Sequence, residues 1–169
     1  MTASITIEPL ASHHDRKAFS CGVPALDRYL RELAAQDMKR RVSNCFVAIG
    51  EDGSVAGFYT FAAASFPLTE LPAEESKRLP RYPLLPAGLI GRLAVDAKFH
   101  GRRIGGSLIM DAALRAARAD PAIFAIVVDA KDENAAGFYR HLGFRRFNSR
   151  PMSLFMPTAT ALDALRKQG

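Results

Sequence analysis

An α/β fold built on a mixed sheet is predicted by three features of the sequence. Asn44 to Ile49 and Val55 to Ala63 are strand-like segments joined by Glu51-Asp52-Gly53-Ser54, whose Asp-Gly pair suits a hairpin turn needing positive φ. That gives an antiparallel pair. Leu89 to Asp96 reads as a further strand, followed by a Gly/Arg-rich turn from His100 to Gly106 and a helix. Phe124 to Val128 is then a continuous apolar run of the kind covered on both faces, so strand, helix and strand read as a parallel βαβ unit.

The remaining elements follow in order. Ile5 to Pro9 alternates apolar and polar residues as a short first strand. Val23-Pro24 suits a helix start with proline near N1, and Leu26, Tyr29, Leu30, Leu33 and Met38 form the apolar stripe of that helix. Residues 64–87 contain prolines at 67, 72, 80, 83 and 86, which predicts little regular structure beyond a helical turn around 73–79. In the helix from Ile104, the residues Ile104, Leu108, Ile109, Ala112, Ala113, Ala116 and Ala117 make one apolar face, and Asp120-Pro121 stops it. Asn134 to Leu142 is a short helix ended by Gly143. Phe144 to Phe147 and Met152 to Met156 supply two last strands, and Thr160 to Lys167 a closing helix.

With 169 residues, 49% hydrophobic and 24% charged, the chain suits one globular domain spanning 1–169. Its apolar runs are short, and Met1 to Glu8 offers neither a basic start nor a hydrophobic signal region, so a cytoplasmic protein away from membranes is expected. Cys21 and Cys45 lack a second pair or a histidine cluster, which indicates neither a disulfide framework nor zinc. His13, His14, His100 and His141 show no nucleophile or metal pattern and are assigned surface or turn roles, with no metal expected. The net charge of +6 favours a polyanionic ligand, for which coenzyme A and RNA both qualify.

The segment from Arg92 to Leu114 carries the most chemical information. Backbone N–H groups at a helix start, together with the helix dipole, stabilise an anion, and glycines let the backbone approach it. A phosphate site fits this turn, although basic solvation of a tight turn would leave the same residues. Neither the P-loop nor the dinucleotide-binding glycine pattern is present.

Arg92-Leu93-Ala94-Val95-Asp96 followed by His100-Gly101-Arg102-Arg103-Ile104-Gly105-Gly106 resembles the acetyl-coenzyme A signature of the GNAT acetyltransferases. In that signature a Gln or Arg is followed after two residues by Gly and, one residue later, by Gly or Ala. His100 stands first, Arg103 takes the first glycine position and Gly105 the last. The resemblance implies a mixed central sheet with a splayed parallel pair flanked by helices. It also implies that acetyl-coenzyme A is held by Leu93, Ala94, Val95, His100, Gly101, Arg102, Arg103, Ile104, Gly105 and Gly106. With ordinary helical φ, Arg103 would still turn its N–H to a phosphate, its side chain pointing away or pairing with that phosphate. A second block, Val127 to Phe144, resembles the same family. By that resemblance Asn134 contacts the pantetheine arm with Ala136 and Phe138 beside it, and Tyr139 is the general acid for the departing thiolate. A backbone N–H near Ala94 or Val95 would hold the oxyanion. No general base announces itself, and an α-amine with a pKa of about 7.7 to 8.0 is already partly neutral.

Four blocks extend the resemblance to the GNAT toxins of bacterial toxin-antitoxin modules. They are Phe19 to Gly22 with Leu26 to Leu30, Arg81-Tyr82-Pro83 before Gly91 to Asp96, Ala130-Lys131-Asp132 leading to Phe138 to His141, and Leu154 to Pro157. Such toxins acetylate the α-amine of aminoacyl-tRNA, block translation, and are neutralised by a ribbon-helix-helix antitoxin. They often form homodimers. The resemblance implies that Lys39, Arg40, Arg41 and Arg92 bind tRNA through salt-sensitive contacts. Two alternatives stay open at this stage: a metabolic or protein-modifying GNAT acting on a small amine or a lysine, and a non-catalytic coenzyme A binding domain, motivated by Arg103 at the glycine position.

Overall fold

In the computed structural model, which describes residues 4–168, the chain forms seven strands and six α-helical segments. It divides into two compact units, one of residues 1–62 and 91–111, the other of residues 63–90 and 112–169.

In the first unit β1 (Thr6–Pro9) pairs antiparallel with β2 (Asn44–Ile49), from Thr6 opposite Ile49 to Pro9 opposite Phe46. β2 pairs antiparallel with β3 (Val55–Pro67) across the expected turn, where Gly53 has φ of 83°. Between β1 and β2 lie α1 (Pro24–Arg28), a π-helical turn over Tyr29–Leu33, and α2 (Ala34–Lys39). Pro24 opens α1 as anticipated. The apolar stripe is shifted by the π turn, which inserts a residue into the helical repeat. Tyr29, Leu30 and Ala34 are buried, whereas Leu33 is 41% exposed. The buried side packs with Phe19, Cys45, Val47, Phe58 and Ala94 into the unit's core.

Burial also changes the place of one histidine. His14 is buried rather than on the surface, and its Nδ1 accepts the Ala11 N–H at 2.9 Å. That bond fixes the ring proton on Nε2, which donates to Glu8 Oε1 at 2.7 Å. Although Glu8, His13 and His14 place a possible ligand atom each within 4.8 Å of one another, both nitrogens of His14 are already engaged.

In the second unit β4 (Leu84–Val95) runs parallel to β5 (Ala125–Asp129), Ala87 opposite Ala125 and Ile90 opposite Val128. β5 then pairs antiparallel with β7 (Ser153–Pro157), and β7 with β6 (Arg145–Arg146). The antiparallel and parallel pairs together make the sheet mixed, as predicted. Phe66, Leu71, Leu85, Ala87, Ala125, Val127, Phe147 and Phe155 form this unit's core. Both strands flanking the proline-rich stretch are longer than anticipated, β3 reaching Pro67 and β4 starting at Leu84. Proline lacks only an N–H, and Pro67 ends β3 while Pro86 takes an exposed position in β4.

What lies between is a 3₁₀ turn (Leu68–Glu70) and α3 (Ala73–Ser76), fastened to the β6–β7 connection. Asn148 Nδ2 donates to the carbonyls of Thr69 and Leu71 at 2.9 and 2.8 Å, Ser149 binds the Glu70 carboxylate, and Arg145 forks to Glu74 and Glu75 at 2.8 Å each. The other helices are α4 (Ile104–Arg118), α5 (Glu133–His141) and α6 (Thr158–Gln168). Every residue of the predicted α4 face is buried except Ala117. Among the described residues no helix is long and apolar enough to cross a membrane. Part of the expectation of no leader falls on residues 1–3, which lie outside the described residues.

Candidate active site

In the first unit β4 ends at Val95, and the next carboxylate organises the turn that follows. Asp96 is only 2% exposed, and its side chain accepts the N–H groups of Ser20 and Lys98, both at 2.9 Å. It caps a 3₁₀ turn over Ala97–Phe99. His100 turns back and places Nε2 2.9 Å from the Val95 carbonyl, tying the turn to the strand end. Gly101 follows with φ of 81°, a conformation that favours glycine. The Arg102 guanidinium lies 5.3 Å above the Phe99 ring.

Arg103 does not meet the condition of ordinary helical φ. Its φ is 60°, in the left-handed region rather than the helical one. At the position where the signature has its first glycine the chain thus takes a left-handed conformation that glycine adopts without steric penalty, with an arginine bearing the strain. α4 begins at Ile104, so the N–H groups of Ile104, Gly105 and Gly106 belong to the helix's first turn and have no intrahelical acceptor. Three such N–H groups, the positive end of the dipole and two neighbouring arginines fit a pyrophosphate.

The start of α4 is held close to β3. A Cβ on Gly57 would stand 2.9 Å from the Ala94 carbonyl oxygen and 3.3 Å from Ile104 Cγ2. Further along, the Tyr59 hydroxyl donates to Asp111 Oδ2 at 2.7 Å. Nothing in the turn motif itself pointed to Gly57, Tyr59 or Asp96 as its supports. Of the β4 residues proposed to act here, Ala94 is buried, while Leu93 and Val95 are half-buried.

In the second unit α5 carries the other block. Asp132 caps it by accepting the Ala135 N–H at 2.8 Å. Asn134, in the first turn, is exposed, Ala136 is fully buried, and Phe138 is 38% exposed. Tyr139 is 8% exposed, its ring between those of Phe138 and Phe144 at centroid distances of 5.2 and 5.6 Å. Among the described residues its hydroxyl has no hydrogen-bond partner, yet no buried side-chain oxygen lacks one, so the ring is buried and the hydroxyl reaches the surface. Burial pushes its pKa up to about 12, which keeps the proton in place at neutral pH.

The residues expected to bind RNA all lie in the first unit. Lys39, Arg40 and Arg41 are exposed at the end of α2, and Arg41, like Arg103, has a left-handed φ of 61°. Arg92 is half-buried, its guanidinium carbon 3.7 Å from the centre of the Tyr29 ring.

The chain is an acyltransferase of the GNAT acetyltransferase family: the family described as acetyltransferase (GNAT) domain matches residues 41–146, more than half of the chain. Membership makes the protein an N-acetyltransferase with acetyl-coenzyme A as its donor. It is 37% identical over 144 residues to a tRNA-acetylating toxin of Mycobacterium tuberculosis strain H37Rv, covering 84% of this chain and 85% of that one. Its fold is similar to that of AtaT complexed with acetyl-methionyl-tRNAfMet, with a TM-score of 0.87 and 27% identity over 96% of this chain and 99% of that one. It is also similar to AtaTR bound with acetyl-coenzyme A, with a TM-score of 0.78 and 25% identity over 95% and 98% of the two chains.

Proposed function

We propose that this protein is the toxin of a toxin-antitoxin pair, an enzyme that moves the acetyl group of acetyl-coenzyme A onto the α-amine of aminoacyl-tRNA and so stops translation. One observation carries this reading: the likeness to a tRNA-acetylating toxin runs along 84% of the chain and is not confined to the cofactor motif. The whole chain, 1–169, acts as a single acetyltransferase domain in the cytoplasm, where charged tRNA is found. A ribbon-helix-helix antitoxin neutralises it, and a homodimer would extend the basic surface over two copies.

When bound, the donor supplies an activated acetyl group and a thiolate leaving group. His100 to Gly106 receive the phosphates, with Arg103 and Gly101 holding the turn open. Asn134, with Ala136 and Phe138, serves the pantetheine arm, and a backbone N–H of Ala94 or Val95 receives the carbonyl oxygen as its charge develops. The neutral α-amine attacks the carbonyl carbon, a C–N bond forms and the C–S bond breaks. Tyr139 donates its proton to the leaving sulfur. Because burial disfavours the phenolate, the proton lost by the attacking nitrogen must return to Tyr139 as it gives up its own.

Lys39, Arg40, Arg41 and Arg92 hold the acceptor's phosphates. The test is transfer of labelled acetyl to charged tRNA, with uncharged tRNA, free amino acids and polyamines run in parallel. Label confined to charged tRNA is expected; label on the free amines instead would reject the toxin reading in favour of a metabolic acetyltransferase.

A further inference from the structure

Arg92 is a half-buried cation with no carboxylate against it among the described residues. Its guanidinium lies 3.7 Å from the Tyr29 ring centre, close enough for face-on stacking. Stacking secures the flat face of the guanidinium and leaves its N–H edge for another acceptor. A partly desolvated charge in that state is matched by an anion supplied from outside.

The ring beneath it is itself firmly seated. Tyr29 is 3% exposed, is the first residue of the π turn, and donates its hydroxyl to Asp37 Oδ2 at 2.7 Å, eight residues further along the same helical run. π turns recur at functional positions because they re-aim side chains. Asp37 has a second task at the helix end, where its carbonyl accepts the Val42 N–H at 3.0 Å while Arg41 N–H reaches Met38 at 3.1 Å. These two bonds make the Schellman closure that sets Arg41 in its left-handed conformation. Asp37 thus links the support of Arg92 through its side chain to the cap carrying Lys39, Arg40 and Arg41 through its backbone.

We infer that Tyr29 and Asp37 are positioning residues for the RNA acceptor: they hold the Arg92 guanidinium and the Lys39–Arg41 helix end as one preformed phosphate-binding face. This rests on the proposed tRNA acceptor, and it assigns the π turn a part in acceptor affinity. Neither residue touches the reacting atoms. Their effect is carried by KM for charged tRNA, not by turnover at saturation.

The test compares wild type with Tyr29→Leu, Tyr29→Phe, Arg92→Ala, Arg92→Lys and Tyr29→Leu/Arg92→Ala, measuring KM and kcat for charged tRNA and its filter binding across a salt series. Tyr29→Leu is expected to raise KM about two- to fivefold, the range of a lost cation–π contact, with kcat held. Tyr29→Phe keeps the ring but loses its tie to Asp37, so it should recover the affinity only in part. Arg92→Ala should lower the salt slope by about 1, and adding Tyr29→Leu to it should raise KM no further. Arg92→Lys leaves the core intact and keeps the charge but loses the flat stacking face, so it serves even if Tyr29→Leu does not fold. Arg92→Lys with wild-type KM, or full additivity in the double variant, overturns the inference while wild-type transfer to charged tRNA leaves the acceptor reading standing. Absence of that transfer from wild type overturns both.

Discussion

The Cβ that Gly57 lacks would stand 2.9 Å from the carbonyl oxygen of Ala94, and that oxygen belongs to backbone that cannot swing away. Gly57 therefore fixes how closely β3 approaches the last residues of β4, with Leu108 Cδ1 at 3.2 Å on the side of α4.

Gly57→Ala is expected to cost about 2 to 3 kcal/mol, the upper part of the range for an overpacked core. The displaced helix start should also weaken acetyl-coenzyme A binding. Urea unfolding and calorimetric titration read the two effects. Unchanged stability together with unchanged affinity would show that the contact relaxes without cost and that Gly57 does not set the turn.

Much of this architecture is legible in the sequence. The hairpin at Asp52-Gly53, the proline at the start of α1, the helix from Ile104 and the buried run at β5 follow from local rules that nothing in the tertiary structure overrides. The misreadings have local causes. A π turn has no periodic signature, so the sequence pattern puts Leu33 on the core face that Ala34 occupies. Prolines at 67 and 86 suggested irregular chain, yet each sits where its missing N–H is harmless. The supports of the site are less visible still. Asp96 and Tyr29 act through partners 76 and 8 residues away, at Ser20 and Asp37, and no spacing rule joins such pairs.

Arg103 bears a conformation in which a side chain is unfavourable by roughly 1 to 2 kcal/mol. Replacing it by glycine relieves that strain while increasing the freedom of the unfolded chain, so Arg103→Gly is expected to stabilise the protein by about 1 kcal/mol. A higher urea midpoint at constant slope would register the gain. Acetyl-coenzyme A affinity should change little if the backbone N–H groups hold the phosphates, and should fall clearly if the Arg103 side chain itself binds them.

Tyr139→Phe removes one hydroxyl that has no hydrogen-bond partner among the described residues and leaves the ring packed against Phe138 and Phe144. Stability and acetyl-coenzyme A affinity should therefore hold. Turnover is expected to fall by about 10²- to 10⁴-fold, the range for loss of a positioned general acid. A stopped-flow or steady-state comparison at saturating donor measures it. Turnover within a factor of about two of wild type would remove Tyr139 from proton transfer.

The pH dependence of the reaction separates the acceptor's titration from that of Tyr139. The attacking amine must be neutral, so kcat/KM should rise with pH through about 7.7 to 8.0 and then level off as deprotonation becomes complete. Tyr139 acts in its protonated form, and an ordinary phenol would begin to lose that form near a pKa of about 10, bending the profile downward. Burial raises this phenol to about 12, so the proton stays on and the plateau should persist to the alkaline end of the accessible range. Measuring kcat/KM from pH 6 to about 10.5 with an amide-linked charged tRNA avoids ester hydrolysis over the same interval. A descending limb centred near pH 10 in wild type, absent from Tyr139→Phe, would mean that the phenol titrates as if exposed when acetyl-coenzyme A is bound. A plateau in wild type, with the same rise but a lower ceiling in Tyr139→Phe, is the outcome expected of a buried donor that stays protonated throughout.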